Sequence, residues 1–269
     1  MLNVERSICH DAAATVRRAS ILPRQEQDMQ THVIISYDGT DNDHDALALG
    51  RILGDAGARV SLAYVRHSTE SDAAAEQAAQ AQAQELLDGG AQWLGHPEVQ
   101  RHVILSASTG EGLWALAERE QADLVVFGSD WHTAPGHVQP GQSALRLMEG
   151  GPVSVAIAAA GLRDRAGAGL RSIALAGGEV DDAARETADR LAARAGTALA
   201  LPSQEGLDLL VVGSRPGTAQ GHVSVTAASE YVVETATASV LIVARGVIFD
   251  VEQSGREAAG AQAPERAHQ

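Results

Sequence analysis

The sequence holds a single cysteine, Cys9, among its 269 residues. No disulfide can close within the chain, and thiolate-based zinc or iron–sulfur sites are excluded. Aromatic residues are only 3%. The core must be assembled from Ala, Val, Leu and Ile, and a stacking platform for single-stranded nucleic acid is disfavoured. Basic residues are scarce: 20 Lys and Arg face 35 Asp and Glu, a formal charge of -15. That deficit argues against nucleic-acid polymers, which need cations for their phosphates, and against an anionic membrane surface. No apolar run approaches the roughly 20 residues of a membrane span. Residues 1–28 lack a signal peptide's apolar stretch and carry Glu5, Asp11, Glu26 and Asp28, so a cytoplasmic location is expected.

What the chain does have is apolar material, 45% of it, in short regular runs. Val33-Ile34-Ile35-Ser36-Tyr37 reads as a strand buried on both faces and ends at Asp38-Gly39-Thr40. Leu49, Ile52, Leu53 and Ala56 follow at helical spacing behind Asp41, Asp43 and Asp45. Strands are expected at 60–65, 102–105, 124–127 and 153–157, with helices at 72–88, 111–120 and 143–149. The pattern then restarts, with strands at 173–176, 197–201, 209–212 and 240–243 and helices at 181–195 and 227–235. Strands alternating with helices imply parallel βαβ units with right-handed crossovers.

An internal repeat organises this pattern. Shifted by 85 positions, residues 123–159 lie on 208–244 without a gap, and about fifteen of thirty-seven positions are identical. Asp123-Leu124 falls on Asp208-Leu209, Gly128-Ser129 on Gly213-Ser214, and Gly136-His137-Val138 on Gly221-His222-Val223. The copies are unequal, because the second passes from Leu201 through Pro202 to Gly206 straight into Leu207-Asp208. The expected organisation is an extension over 1–30, a first domain over 31–160, a linker over 161–170, a trimmed second domain over 171–246 and a disordered tail over 247–269.

Ligands of parallel sheets bind outside the carboxyl ends of the strands, where strand order reverses. Two strand ends stand out: Asp38-Gly39-Thr40, and Gly128-Ser129 with the loop that runs to Gly141-Gln142-Ser143. A carboxylate suits ribose hydroxyls, and backbone amides beside small residues suit phosphate. Over about 32–245 the sequence resembles the universal stress protein family of adenine-nucleotide-binding α/β domains. The family's loop pattern is Gly, two residues, Gly, nine residues, Gly, then Ser or Thr. Gly128 and Gly141 match it, Trp131 replaces the second Gly, and Gln142 stands in the Ser/Thr place with Ser143 next to it. Asp38 matches the acidic residue after the first strand, and Val65 the position lining adenine.

The resemblance implies two Rossmann-like, adenine nucleotide α-hydrolase-like parallel-sheet domains in tandem. The first would have five strands in the order 3-2-1-4-5 and the second about four. The implied ligand is ATP or a related adenine nucleotide, with or without Mg2+, held at Asp38, Gly39, Thr40, Val65, Gly128, Ser129, Gly141, Gln142 and Ser143. The departures at Trp131 and Gln142 leave open that no nucleotide binds and that the protein is a scaffold for protein–protein contacts. In the second copy Gly177 replaces Asp38 and Thr226 replaces Gly141, so little or no binding is expected there. The fifth strands of the two copies are expected to pair within the chain, with homodimerisation left open. Asp41, Asp43 and Asp45 read more simply as the acidic first turn of a helix than as a metal site. His137 and His222 are repeat equivalents, which suits loop packing or an interface better than metal. Trp93 and Trp114 read as core residues. No Walker, Rossmann or nucleophile-elbow motif is present, so no catalysis beyond slow ATP hydrolysis is expected.

Overall fold

The computed structural model describes residues 30–165, 167–176 and 181–251. Residues 1–29 of the expected extension over 1–30, the Gly177 counterpart of Asp38 and the tail beyond 251 lie outside the described residues. Strands β1 (His32–Ser36), β2 (Arg59–Arg66), β3 (Gln100–Leu105), β4 (Leu124–Phe127) and β5 (Ser154–Ile157) alternate with helices α1 (Asp43–Asp55), α2 (Ala73–Leu94), α3 (Thr109–Glu120) and α4 (Gln142–Met148). The second half contributes β6 (Ile173–Leu175), α5 (Asp182–Arg194), β7 (Leu209–Gly213), α6 (Ala227–Glu234) and β8 (Ser239–Val243).

All eight strands form one sheet, ordered β3-β2-β1-β4-β5-β8-β7-β6. Every neighbouring pair is parallel except β5 and β8, which run antiparallel with Ala156 opposite Leu241. The first half has the order 3-2-1-4-5. Strands covered on both faces need apolar side chains in both directions, which explains their unbroken runs. Val33, Ile35 and Leu62 pack with α1, α2 and α5 on one face. Ile34, Val125 and Val155 pack with α3, α4 and α6 on the other.

Local chemistry sets the helix ends. Asp72 and Ser108 are extended N-cap residues whose side chains accept from the amides of Ala75 and Glu111. Helix α2 runs past the expected 88 to Leu94 and stops at Gly95, whose φ of 81° is the left-handed conformation that glycine adopts at no steric cost. Trp93 and Trp114 are half-buried rather than core. Arg51 lies over the Trp93 ring and Arg146 over the Trp114 ring.

The 85-residue repeat reappears as paired bonds across the β5–β8 seam. Ser239 Oγ accepts from the Ala159 amide at 3.1 Å, and Ser154 Oγ accepts from the Ala244 amide at 3.1 Å. The Val138 amide donates to the Ala236 carbonyl, and the Val223 amide to the Gly151 carbonyl. Each bond maps on its mate by the shift of 85, the pattern of a two-fold, self-complementary interface. His222 joins it through Nδ1, 2.9 Å from the Gly150 carbonyl.

Two expectations are corrected. The strand expected at 197–201 is reduced to one bridge, Ala200 to Ala174. It has no further strand beyond it to hold a ladder, and Leu201 is exposed. The tail does not begin at 247. Phe249 and Val251 are each 1% exposed, and the Phe249 amide donates to Thr187 Oγ1. Asp250 bridges Arg190 and Arg194 of α5, while its carbonyl accepts from Thr31 Oγ1. Burying one phenylalanine contributes roughly 2 kcal/mol, enough to hold the segment down.

Candidate functional site

Strand order reverses at β1, whose neighbours β2 and β4 lead to opposite halves of the first unit. Ligands of parallel sheets sit at such a switch. Asp38 follows β1 there and is exposed. Its Oδ1 accepts from the Thr40 amide at 3.1 Å. Asp43, in the first turn of α1, accepts the Asp38 amide at 2.7 Å and the Thr40 amide at 3.4 Å. Gly39 makes this tight turn with φ of 85°, and a Cβ there would stand 2.5 Å from Leu86 Cδ1. The two carboxyl groups face each other across this turn and titrate together. Burial, then the hydrogen bonding and charge of the facing Asp38 carboxyl, push the Asp43 carboxyl up to about 8. Hydrogen bonding to Asp43 holds the Asp38 carboxyl below its ordinary range. The pair thus favours holding its proton on Asp43 and its charge on Asp38. An ionised carboxylate is an acceptor suited to two vicinal hydroxyls.

A cavity of about 430 Å³ opens beside Asp38, lined by Tyr64, Arg66, His67, Ser68 and Leu86. Arg66 is neutralised within it by a bidentate pair with Glu76, at 2.7 and 2.9 Å. The period of two along β2 sends Tyr64 and Arg66 to this side and Val65 to the other. Val65 is therefore buried beneath α3, where a Cβ on Gly112 would stand 3.2 Å from its Cγ1. It does not line the cavity with Asp38. The sequence marks the right strand end, but the charged pair Arg66-His67 that follows Val65 is the part that faces the cavity.

The second expected loop is arranged differently. Gly128 abuts the Asn42 carbonyl, with which any Cβ would collide. Asn42 Nδ2 donates in turn to the Ser129 carbonyl at 2.9 Å. Ser129 points inward: its Oγ donates to the Ala158 carbonyl at 2.7 Å and accepts from the Gln139 amide at 3.3 Å. Ser214 makes the matching bond to the Val243 carbonyl, also at 2.7 Å. The Gly-Ser pair thus clamps the strand ends in both halves. The amides of Asp130, Thr133, Gly136 and His137 donate to carbonyls of the protein, and that of Val138 reaches across the seam. These five amides are thus not free donors, whereas phosphate is expected at the helix start formed by Gly141-Gln142-Ser143. Gly141 is the extended N-cap of α4, with open space at its Cα. Gln142 and Ser143 begin that short helix beside α3, where a Cβ on Gly110 would stand 3.4 Å from the Ser143 carbonyl. Thr40 is therefore the site residue brought to Asp38, whereas Gly141–Ser143 line neither cavity flanking the Asp38–Asn42 turn.

That second cavity, of about 560 Å³, is lined by Thr40, Asn42, Trp131, Thr133 and Arg163. Arg163 follows β5 and reaches back to α1, donating to the Asp41 carbonyl and to Asp45. Sequence reasoning reads 161–170 as a linker and misses this. Among the described residues no group of three metal-ligating side chains assembles, and no helix is long and apolar enough to cross a membrane.

Gly128→Ala is expected to lose about 1–3 kcal/mol, because the obstacle is backbone and cannot swing aside. Urea unfolding checks it, with Gly141→Ala as the near-neutral comparison.

Comparison with known proteins agrees with this fold. No curated protein matches the chain. A universal stress protein from Archaeoglobus fulgidus DSM 4304 is 16% identical, with a TM-score of 0.59 over 81% of this chain and 100% of that one. A universal stress protein family member from Burkholderia pseudomallei is 21% identical over 38% of this chain and 83% of that one, with a TM-score of 0.32. A universal stress protein solved in complex with cAMP is 20% identical over 36% of this chain and 70% of that one, with a TM-score of 0.26. Residues 29–159 match the sequence profile of the universal stress protein family. That segment, which carries the switch at β1 and the loops beyond it, is similar to the universal stress protein family.

Proposed function

We propose that the first half of the chain binds an adenine nucleotide, ATP or a relative of it, and acts as a stress-response sensor or regulator. The observation that carries this reading is Asp38, an exposed carboxylate held ionised at the reversal of strand order, beside a cavity of about 430 Å³. Its role is to accept from the ribose hydroxyls. The second half lends support to β5 through the seam and is proposed to have no nucleotide site of its own.

The test is to denature purified protein and analyse the supernatant for adenine nucleotide, then to titrate ATP by calorimetry with and without Mg2+. Asp38→Ala is expected to weaken binding about ten- to a hundredfold, the worth of charged hydrogen bonds. No released nucleotide and no heat at millimolar ATP in the parent protein would refute the proposal. A second reading, a scaffold for protein contacts, is favoured by the internally bonded amides of Asp130, Thr133, Gly136, His137 and Val138 and by the exposed Trp131. On that reading Trp131→Gly with Gln142→Ser creates ATP binding that the parent lacks.

A further inference from the structure

A cavity of about 410 Å³ lies where the two halves of the chain meet on the face of the sheet that carries α1 and α5. Its walls are Ile52 and Ala56 at the end of α1, Leu191 and Ala195 at the end of α5, and Leu170 and Val251. Ile52, Ala56, Leu170 and Ala195 are only partly covered by the described residues. Aliphatic surface of this kind gains when an apolar group takes the place of water. Two charged groups stand at the same walls, Asp55 and Arg194. Arg194 is matched by Asp250 at 2.8 Å. Asp55 has no ion-pair partner among the described residues. An occupant that carries aliphatic side chains beside a cation therefore fits.

The chain itself enters at this place. Gln30 Nε2 donates to the Gly57 carbonyl at 2.7 Å, and Thr31 Oγ1 donates to the Asp250 carbonyl. Gly57 and Asp250 are the chain neighbours of Ala56 and Val251 in the cavity wall. Twenty-nine residues precede Gln30. Among them Ile21-Leu22 stands between Arg17-Arg18 and Arg24, and no acidic residue occurs from 12 to 25. The other segment that leaves from here, 252–269, contains no Val, Leu, Ile, Met, Phe, Tyr or Trp. The eight steps from Leu22 to Gln30 span up to roughly 26 Å. Ile52 lies only about 8 Å along the helix axis from Gly57, so the reach is ample.

We infer that the groove between α1 and α5 is the docking site of the N-terminal segment, with Ile21 and Leu22 in the cavity and the neighbouring arginines facing Asp55. The segment then ties the first half to the second on the sheet face, in addition to the β5–β8 seam. The inference does not depend on the nucleotide reading.

The test uses the full chain. It contains no lysine, so trypsin cleaves it only after arginine, and mass spectrometry follows cleavage after Arg17, Arg18 and Arg24. Ile21→Asp with Leu22→Asp is expected to raise these rates at least tenfold over the parent. Ala195→Phe, which fills the groove from its wall, should do the same, and Asp55→Asn should raise them about threefold. Cleavage after Arg146 serves as the reference for general opening and should stay unchanged. In a Cys9→Ser background, Leu22→Cys with Ala195→Cys should join within one chain through a short bismaleimide, whereas Leu22→Cys with Tyr231→Cys, on α6 across the sheet, should not. Equal cleavage rates in the parent and the double aspartate variant overturn the inference, as does equal cross-linking to both positions. A parent dimer that Ala195→Phe splits, with cleavage unchanged, also overturns it, because a second copy would then cover the groove.

Discussion

Asp45→Ala is expected to lower stability by about 3–5 kcal/mol, the cost of orphaning a buried ionic partner. Asp45 is 0% exposed. Its Oδ1 accepts from the Arg163 amide at 2.8 Å, and its Oδ2 accepts from the Gly161 amide at 2.9 Å and from Arg163 Nη1 at 3.0 Å. The substitution leaves two amides and a guanidinium facing a hole. Asp45→Asn should be nearly as costly, because the amide nitrogen would confront donors with another donor. Arg163→Ala removes the side-chain bonds to Asp45 and to the Asp41 carbonyl but leaves the two backbone bonds to Asp45, so the loss should be smaller. Urea unfolding of the three variants gives the ranking. Hydrogen exchange at the Gly161 and Arg163 amides should accelerate most in Asp45→Ala. A loss below about 1 kcal/mol, the worth of one ordinary hydrogen bond, with unchanged exchange would mean that this strap does not hold the segment after β5.

The second large effect is a pH dependence that the parent protein conceals. His32 is buried in β1, its Nε2 2.9 Å from Ser61 Oγ. Burial, and then the charge of Arg59, lower its pKa from 6.5 to about 4. The unfolded chain therefore takes up a proton near 6.5 that the folded chain refuses until about 4. Stability from this group is complete above 6.5 and falls as the pH drops to 4, by about 3 kcal/mol in all. Asp43 works in the opposite direction. Its folded pKa, raised to about 8, means that the folded chain keeps a proton the unfolded chain has lost. Its contribution is present below the ordinary carboxylate range and falls as the pH rises to 8. Between 4 and 6.5 the two slopes, each about 1.4 kcal/mol per pH unit, oppose each other, and His102, whose pKa burial also lowers, adds to the His32 side. The parent should therefore not lose stability as the pH rises to 6.5, and should lose it from 6.5 to 8. Asp43→Asn removes one slope, so it should lose about 3 kcal/mol between pH 6.5 and 4 and be flat from 6.5 to 8. A flat profile for Asp43→Asn over the acidic range would refute the assignment to His32. Glu76 titrates outside this window, its carboxyl held at about 2 chiefly by the hydrogen bond from Arg66.

The order of elements can be read from the sequence because both faces of the sheet are covered. Unbroken runs such as Val33–Ile35 and Leu124–Val126 have no other use. The tail escapes such a reading because composition hides single anchors. Phe249 and Val251 lie among polar neighbours, yet each finds a place in the core. Asp38 is legible because a carboxylate at the end of a buried strand has no packing role. Val65 marks the right strand, but which face it takes depends on the register with α3. The repeated loop misleads for a clearer reason. Thr133–Val138 and Thr218–Val223 match because both serve the seam, through Val138, Val223 and His222, and repetition in sequence does not distinguish a seam from a ligand loop. Asp45 resembles its neighbours Asp41 and Asp43 until Arg163 comes back from 118 residues away.

The antiparallel seam also fixes how the molecule responds to dilution. Two separate subunits joined along such strands would come apart as their concentration fell, because their association is a second-order event. Here β5 and β8 lie on one polypeptide, so the closure is intramolecular and its effective concentration is set by the chain itself. The shared edge stays shut in a cell holding many copies or few. The state of the first half is thereby separated from how much of the protein is present.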